Sequence, residues 1–450
     1  MPLELSPFVV RLALAEVRAE DAEAAVDVEG ALEWLGGRES EAEPVVLSLY
    51  ELQRFLWYEL PRKWLVPLES KLAVAEALAG FLDRVGAAPA YAELCRSDDT
   101  SSLLAAWEEG DPDARARLEE LLERSGLEPP DTPLLAWGSG MGSVEARLRD
   151  EAALALESAV EAGRLVPGRT GFERAQLAYV EAFLHDPRAE LDGRTPLAAI
   201  HEERIERWVQ RGGGKRRQIV GPVAAELSEP GPAIARAGID EALEPLVWLL
   251  GVATDGLELT QTGALSRGLV RAAVARYPHW WHELGAAPHR EDEVAALREL
   301  DELARRMRLL RRKGRKLFLT ARGAALRNEP PALLEACAEK LLSTKPFAAA
   351  VQELAVALLL AEPELDWDEL DTRVHAAIVD DGWSAAGEPP EPSDVRWVIA
   401  DLVGAARALG LVRLSGRYPA PRRLAATEPG RLALHVALRA LATRPAESIL

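Results

Sequence analysis

Between Arg305 and Lys316, eight of twelve residues are cationic: Arg305, Arg306, Arg308, Arg311, Arg312, Lys313, Arg315 and Lys316, with no acid among them. Guanidinium and ammonium groups at that density suit charge-assisted contacts to phosphate oxygens. Leu309 and Leu310 precede Gly314, and Leu317 and Leu319 follow it, a pattern that predicts a hairpin with cations turned outward around its glycine turn. Arg322 and Arg327 would extend the same patch. A thinner group, Arg413, Arg417, Arg422 and Arg423, falls in a comparable stretch near the carboxyl end. The competing reading of the main run is a solvated hairpin tip, or a partner for the chain's own acids.

Other groupings carry less chemistry. His279, His282 and His289 lie beside Trp280 and Trp281, and imidazoles three residues apart can converge on a metal. They lack an evident fourth ligand, so the expectation is tryptophans anchoring a loop, and no metal. Gly138-Ser139-Gly140-Met141-Gly142-Ser143 before a helix offers amides to an anion but lacks the dinucleotide glycine spacing. Gly214-Lys215-Arg216 fails the phosphate-loop pattern, because Arg216 stands where Ser or Thr is needed. Asp366, Asp368, Glu369 and Asp371 lack the glycine and terminal glutamate of a calcium loop and suit a helix start. With no nucleophile elbow, zinc-hydrolase helix or kinase set, the expectation is a protein without catalysis and without a cofactor.

The elements that position the basic run follow from charge and periodicity. At roughly 100–200 residues per domain, 450 residues allow about three domains. Residues 1–200 carry 19 basic and 38 acidic side chains, whereas 201–450 carry 34 and 35. Gly212-Gly213-Gly214-Lys215-Arg216-Arg217, then Pro222, Pro230, Gly231 and Pro232, read as a surface linker. The expected layout is an acidic helical domain over 1–210, a linker over 211–232, and further domains over 233–345 and 346–450. Helices over Pro67–Gly86, Pro112–Gly126 and Ser143–Gly163, with Thr195-Pro196 starting another, make the first domain a helical bundle. Asp186 to Leu197 resembles the proline-containing turn of certain antitoxins, and a tight turn before a capped helix explains the same residues.

The second half is repetitive. Leu259-Thr260-Gln261-Thr262-Gly263, Leu319-Thr320-Ala321-Arg322-Gly323 and Ala426-Thr427-Glu428-Pro429-Gly430 read as strand-to-helix corners, threonine capping and glycine permitting close approach. Met307-Arg308-Leu309-Leu310 parallels Leu409-Gly410-Leu411-Val412. Each match sits in a unit of long helix, strand, glycine turn, strand, threonine corner and helix, which predicts two tandem winged helices in a mainly α chain. Upstream helices over Asp240–Val252, Leu265–Tyr277, Phe347–Leu360 and Asp368–Val379 complete them. The helix before the first hairpin carries Glu291, Asp292, Glu293, Glu299, Asp301 and Glu302, which oppose a recognition helix facing phosphates.

Across the whole chain, 73 acids against 53 Lys plus Arg give −20, the reverse of a dedicated nucleic-acid binder. Cys95 and Cys337 cannot build a disulfide framework, and neither a signal peptide nor a membrane span is recognisable, so a cytoplasmic location and no membrane partner are expected. Glu244-Pro245-Leu246-Val247-Trp248-Leu249-Leu250, the corner at 259–263, Trp280-Trp281, Leu309-Leu310-Arg311 and the corner at 319–323 resemble the carboxyl-terminal half of uncharacterised actinobacterial proteins. Some of these fall in a plasmid open-reading-frame family. Phe55 to Trp64 and Gly138 to Gly142 resemble helical domains of the same group, a resemblance that implies a domain layout and no activity. The expected function is nucleic-acid-associated regulation, double-stranded DNA being contacted through basic wings. The alternative is a protein-interaction scaffold whose winged helices bind a protein partner.

Overall fold

The structure, a computed structural model, describes residues 3–36, 44–229, 231, 236–280, 287–384, 387–416 and 421–446. It is mainly helical with small sheets, and the chain divides into two units, Met1–Ile200 with Pro445–Leu450, and His201–Arg444. No described helix is long and apolar enough to cross a membrane.

In the first unit, β1 (Leu3–Leu5) pairs antiparallel with β2 (Val45–Leu47). Around them stand α1 (Pro7–Glu20), α2 (Ala22–Gly36), α3 (Leu49–Arg54), a π-helical turn (Phe55–Glu59) and α4 (Leu60–Lys63). Then follow α5 (Leu68–Arg84), α6 (Pro89–Arg96), α7 (Asp98–Glu108), α8 (Ala114–Ser125), α9 (Ser143–Glu161) and α10 (Phe172–His185). Caps fix their ends. Ser48 and Glu51 form a reciprocal capping box on α3, and Gly126 ends α8 in the left-handed region at φ 70°. The glycine-rich segment before α9 is internally engaged: Gly138 N–H donates to Glu145 and Gly140 N–H to the Ala446 carbonyl at 2.8 Å.

Thr195 accepts from Ala198 N–H to start α11 (Pro196–Gln210). The stretch expected as a linker over 211–232 is instead largely helix α12 (Gly214–Ser228), which buries Ile219, Val220, Val223 and Leu227. Its glycines serve close approach, not flexibility. Gly213 N–H donates to Asp381 (2.6 Å) and Lys215 N–H to Asp380 (2.9 Å), and a Cβ on Gly212 or Gly213 would strike those carboxylates. Arg216 is buried on Glu353, and Trp208 Nε1–H donates to the same carboxylate at 2.7 Å.

After α12 come α13 (Arg236–Val252), β3 (Leu257–Glu258), α14 (Arg267–Arg276), α15 (Ala295–Arg306), β4 (Leu310–Lys313), β5 (Lys316–Leu319), α16 (Ala321–Arg327) and α17 (Pro330–Glu339). The same order recurs in α18 (Pro346–Ala361), β6 (Leu365–Asp366), α19 (Trp367–Asp380), α20 (Pro392–Ala408), β7 (Val412–Ser415), β8 (Arg423–Ala426) and α21 (Glu428–Ala442). The three-stranded sheets have matching antiparallel orders, β3-β5-β4 and β6-β8-β7.

The parallel extends to single hydrogen bonds. Arg308 N–H donates to Arg305 O and Leu309 N–H to Ala304 O; Gly410 and Leu411 donate to Arg407 O and Ala406 O in the same way. Both helices thus end in a Schellman motif with the C′ residue left-handed, Arg308 at φ 58° and Gly410 at φ 66°. Thr320 accepts from Gly323 N–H and Thr427 from Gly430 N–H, and a Cβ on either glycine would collide with the Leu309 or Leu411 carbonyl. The corner at 259–263 differs from that expectation. Thr260 accepts from Ala264 N–H, closing its own loop, and Ser266 caps α14.

The segments expected as separate domains over 233–345 and 346–450 share one apolar core, containing Leu246, Leu300 and Leu317 with Leu354, Ile399 and Leu434. Helix α15 packs along α20, where a Cβ on Gly404 would meet Glu299 Cγ at 3.7 Å.

Candidate nucleic-acid interface

The basic run spans the last turn of α15, the Schellman turn and the β4–β5 ribbon. Register pairs Arg311 with Phe318, Arg312 with Leu317 and Lys313 with Lys316, leaving a two-residue turn at Gly314-Arg315. Gly314 adopts φ 63°, as tight hairpin connections require at their first turn residue. Strand alternation then separates two faces. Leu310 and Leu317 are buried on one; Arg311, Lys313 and Lys316 stand on the other with half-buried Phe318.

Arg306, Arg308, Arg311, Arg312, Lys313, Arg315 and Lys316 are all exposed, and none has an acid within ion-pair distance among the described residues. Like charges directly opposed, as in Lys313 and Lys316, destabilise a hairpin. Glu258 is the cross-strand neighbour of Lys316 on β3 and makes no ion pair with it. Two guanidinium groups brace the ribbon: Arg312 Nε–H donates to Gly314 O at 2.9 Å and lies over Gly263, and Arg315 points toward Leu259 O at 3.5 Å.

Arg305 is the exception in the run. It pairs with Asp301, itself 2% exposed, at 2.5 Å. Beside them Glu291 accepts from Leu265 N–H at 2.6 Å. Burial pushes the Glu291 carboxyl up to about 7, with Asp301 reinforcing the effect and the Leu265 amide opposing it. Arg305 therefore belongs to a structural acid cluster, and the contact surface begins at Arg306.

The second hairpin is largely self-satisfied. Arg423 pairs with Glu364 at 2.8 Å, and Arg422 lies over the Trp367 ring at 4.7 Å. Arg413 is exposed without an ionic partner among the described residues, and Arg417 lies outside them. Of the cations flanking the first ribbon, Arg322 is exposed, whereas Arg327 donates to Thr254 at 3.1 Å.

The helices preceding the hairpins present no reading face of matching character. Helix α15 exposes Ala295, Glu302 and Arg306 and buries Leu297, Leu300, Leu303 and Ala304. Glu291 to Glu293 form a separate 3-10 turn before it, where Glu293 accepts from the His289 and Arg290 amides. On α20, Arg396 is held by Asp371 at 2.6 Å.

The remaining groupings resolve into structure. Trp280 stacks on Tyr277 at 4.3 Å between ring centroids, the anchoring role expected of it. The side chains of His279 and His282, and all of Trp281, lie outside the described residues; no metal-competent cluster occurs among those described. Asp366 caps α19 by accepting from Asp368 and Glu369 N–H. Around Asp186 to Leu197, Arg188 N–H donates to Arg194 O, closing a tight turn. Sequence reasoning missed two exposed arginines, Arg267 and Arg271 on α14, although the absence of any acid from 259 to 277 marks them.

The sequence model of the family described as the Y4jL N-terminal domain matches residues 246–332, from within α13 to the start of α17, and so includes the basic ribbon. No curated protein and no solved structure matches the chain.

Proposed function

We propose that the chain is a non-catalytic, cytoplasmic regulatory protein that holds double-stranded DNA by its phosphates through the β4–β5 ribbon. The observation carrying this reading is the set of seven exposed cations without an ion-pair partner among the described residues, on the end of α15, the turn after it and the β4–β5 ribbon, in a chain with net charge −20. With 73 acids available, the lack of an ion pair to any of these cations among the described residues, even from Glu258 across the strand from Lys316, favours an anionic ligand over internal pairing. The helix, strand, helix, helix, hairpin order of each repeat, with its strand order, supports a winged-helix assignment. Because α15 is spent on packing against α20, recognition would run through backbone charge and shape, with little base reading.

At physiological salt a charge is screened over about 8 Å, so the ribbon acts locally despite the anionic remainder. Engagement of four or five phosphates gives a slope of log K against log salt of about −4. Fluorescence anisotropy with a duplex across a salt series tests it: Arg311→Glu, Arg312→Glu and Arg315→Glu together should abolish binding. Wild-type binding that is absent at low salt, or indifferent to salt, overturns the reading. A protein partner is the second reading, favoured by Trp397, which is 72% exposed on α20. It predicts a stoichiometric complex lost in Trp397→Ala and intact in the ribbon variant.

A further inference from the structure

The cationic surface continues past the hairpin. From Leu259 to Tyr277 the chain contains no acid. Within that stretch Arg267 and Arg271 lie one turn apart on α14, exposed and without an ionic or hydrogen-bonding partner among the described residues. Arg276 on the same helix is committed to Glu244 and Tyr277, so the free pair is a distinct feature.

Short connections tie this pair to the ribbon. Leu259 N–H donates to Arg315 O at 2.9 Å at the hairpin tip, Leu259 bridges to Leu265, and Ser266 caps α14 immediately afterwards. Arg312 lies over Gly263 in the intervening loop. The ribbon tip and the first turn of α14 therefore flank the same five residues, Thr260 to Ala264. Exposed Gly268, Ala272 and Ala275 keep the helix surface low beside the two arginines.

The second repeat supplies an internal comparison. Helix α19 has the same place in its repeat and carries Asp368, Glu369, Asp371 and Asp380, with one arginine, Arg373, held by Glu362. The corresponding helices of the two repeats thus carry net charge of opposite sign, so a cationic α14 is no requirement of the repeat's fold.

We propose that Arg267 and Arg271 form a second phosphate contact, continuous with the ribbon, so that duplex DNA is held at two points; this rests on the ribbon reading above. Two cation groups on different elements, separated by a neutral loop, match two backbone runs bordering a groove. A single strand would call for stacking rings, and α14 exposes none.

The test is anisotropy with a duplex over a salt series, using the full chain. Arg267→Gln with Arg271→Gln should cost at least about tenfold in affinity at ~0.1 M salt and reduce the salt slope by about 2. Arg267→Lys with Arg271→Lys should restore the slope, which a purely structural role would not require. Wild-type affinity and slope in the glutamine variant, while the ribbon variant stays defective, overturn this inference and leave the ribbon reading standing. Unchanged binding in the ribbon variant overturns both.

Discussion

Arg308 joins strain to charge in one residue. It occupies the left-handed C′ position at φ 58° where the second repeat has Gly410, and its carbonyl accepts from Thr320. A left-handed non-glycine residue costs about 1–2 kcal/mol. Arg308→Gly removes that cost, while the freer unfolded chain takes back about 0.4–1 kcal/mol. The expected net gain is about 0.5–1 kcal/mol, or roughly 1–4 °C in Tm for a unit of this size. Arg308→Ala keeps the strain and loses the charge, so it is the proper reference. Both variants should bind duplex more weakly, each reducing the salt slope by about 0.9. Differential scanning calorimetry and anisotropy on the three proteins decide it. Equal melting of the glycine and alanine variants would refute the strain argument; wild-type slopes in both would show that Arg308 touches no phosphate. A more stable, weaker-binding glycine variant is the signature of strain retained for function.

Other expectations concern the scaffold and its charge. Glu353→Ala removes the nearer of buried Arg216's two carboxylates, leaving Asp381 at 4.0 Å, and should lower stability in denaturant titration by less than the roughly 3–5 kcal/mol of a fully orphaned buried charge. Gly323→Ala drives a methyl against the Leu309 carbonyl and should lower Tm, with Gly430→Ala doing the same at Leu411. The Glu291 carboxyl, raised to about 7 from 4.5, favours the native state when protonated, and that contribution fades as pH rises through the interval between them. Calorimetry should therefore show Tm falling between about pH 5 and 8, with Glu291→Gln flattening that decline. Glu258→Gln removes the acid opposite Lys316 and should strengthen duplex binding by roughly twofold.

Local rules in the sequence foresaw most elements of the second unit, but in the first only α5, α8, α9 and the start of α11. Glycine stops, proline starts and threonine caps act over four or five residues, so α5, α8, α9, the corner at Thr320 and the matching one at Thr427 were readable directly. The ribbon was readable too, because alternation around Gly314 needs only its neighbours. Long-range partners were hidden. Gly212 and Gly213 look like a flexible linker until Asp380 and Asp381, distant in sequence, are placed against them. Glu353 looks like an interruption of an apolar helix until Arg216 and Trp208 meet it. Arg423 reads as a free cation in one dimension, and Glu364 neutralises it in three; Arg305 pairs with Asp301 at i,i+4 spacing on α15, which the sequence already offers. Composition and periodicity set which segments become helix or strand, since those preferences are local. Which charges remain uncompensated is fixed largely by packing, because acids such as Glu364 and Glu353 reach their arginines from distant points of the sequence.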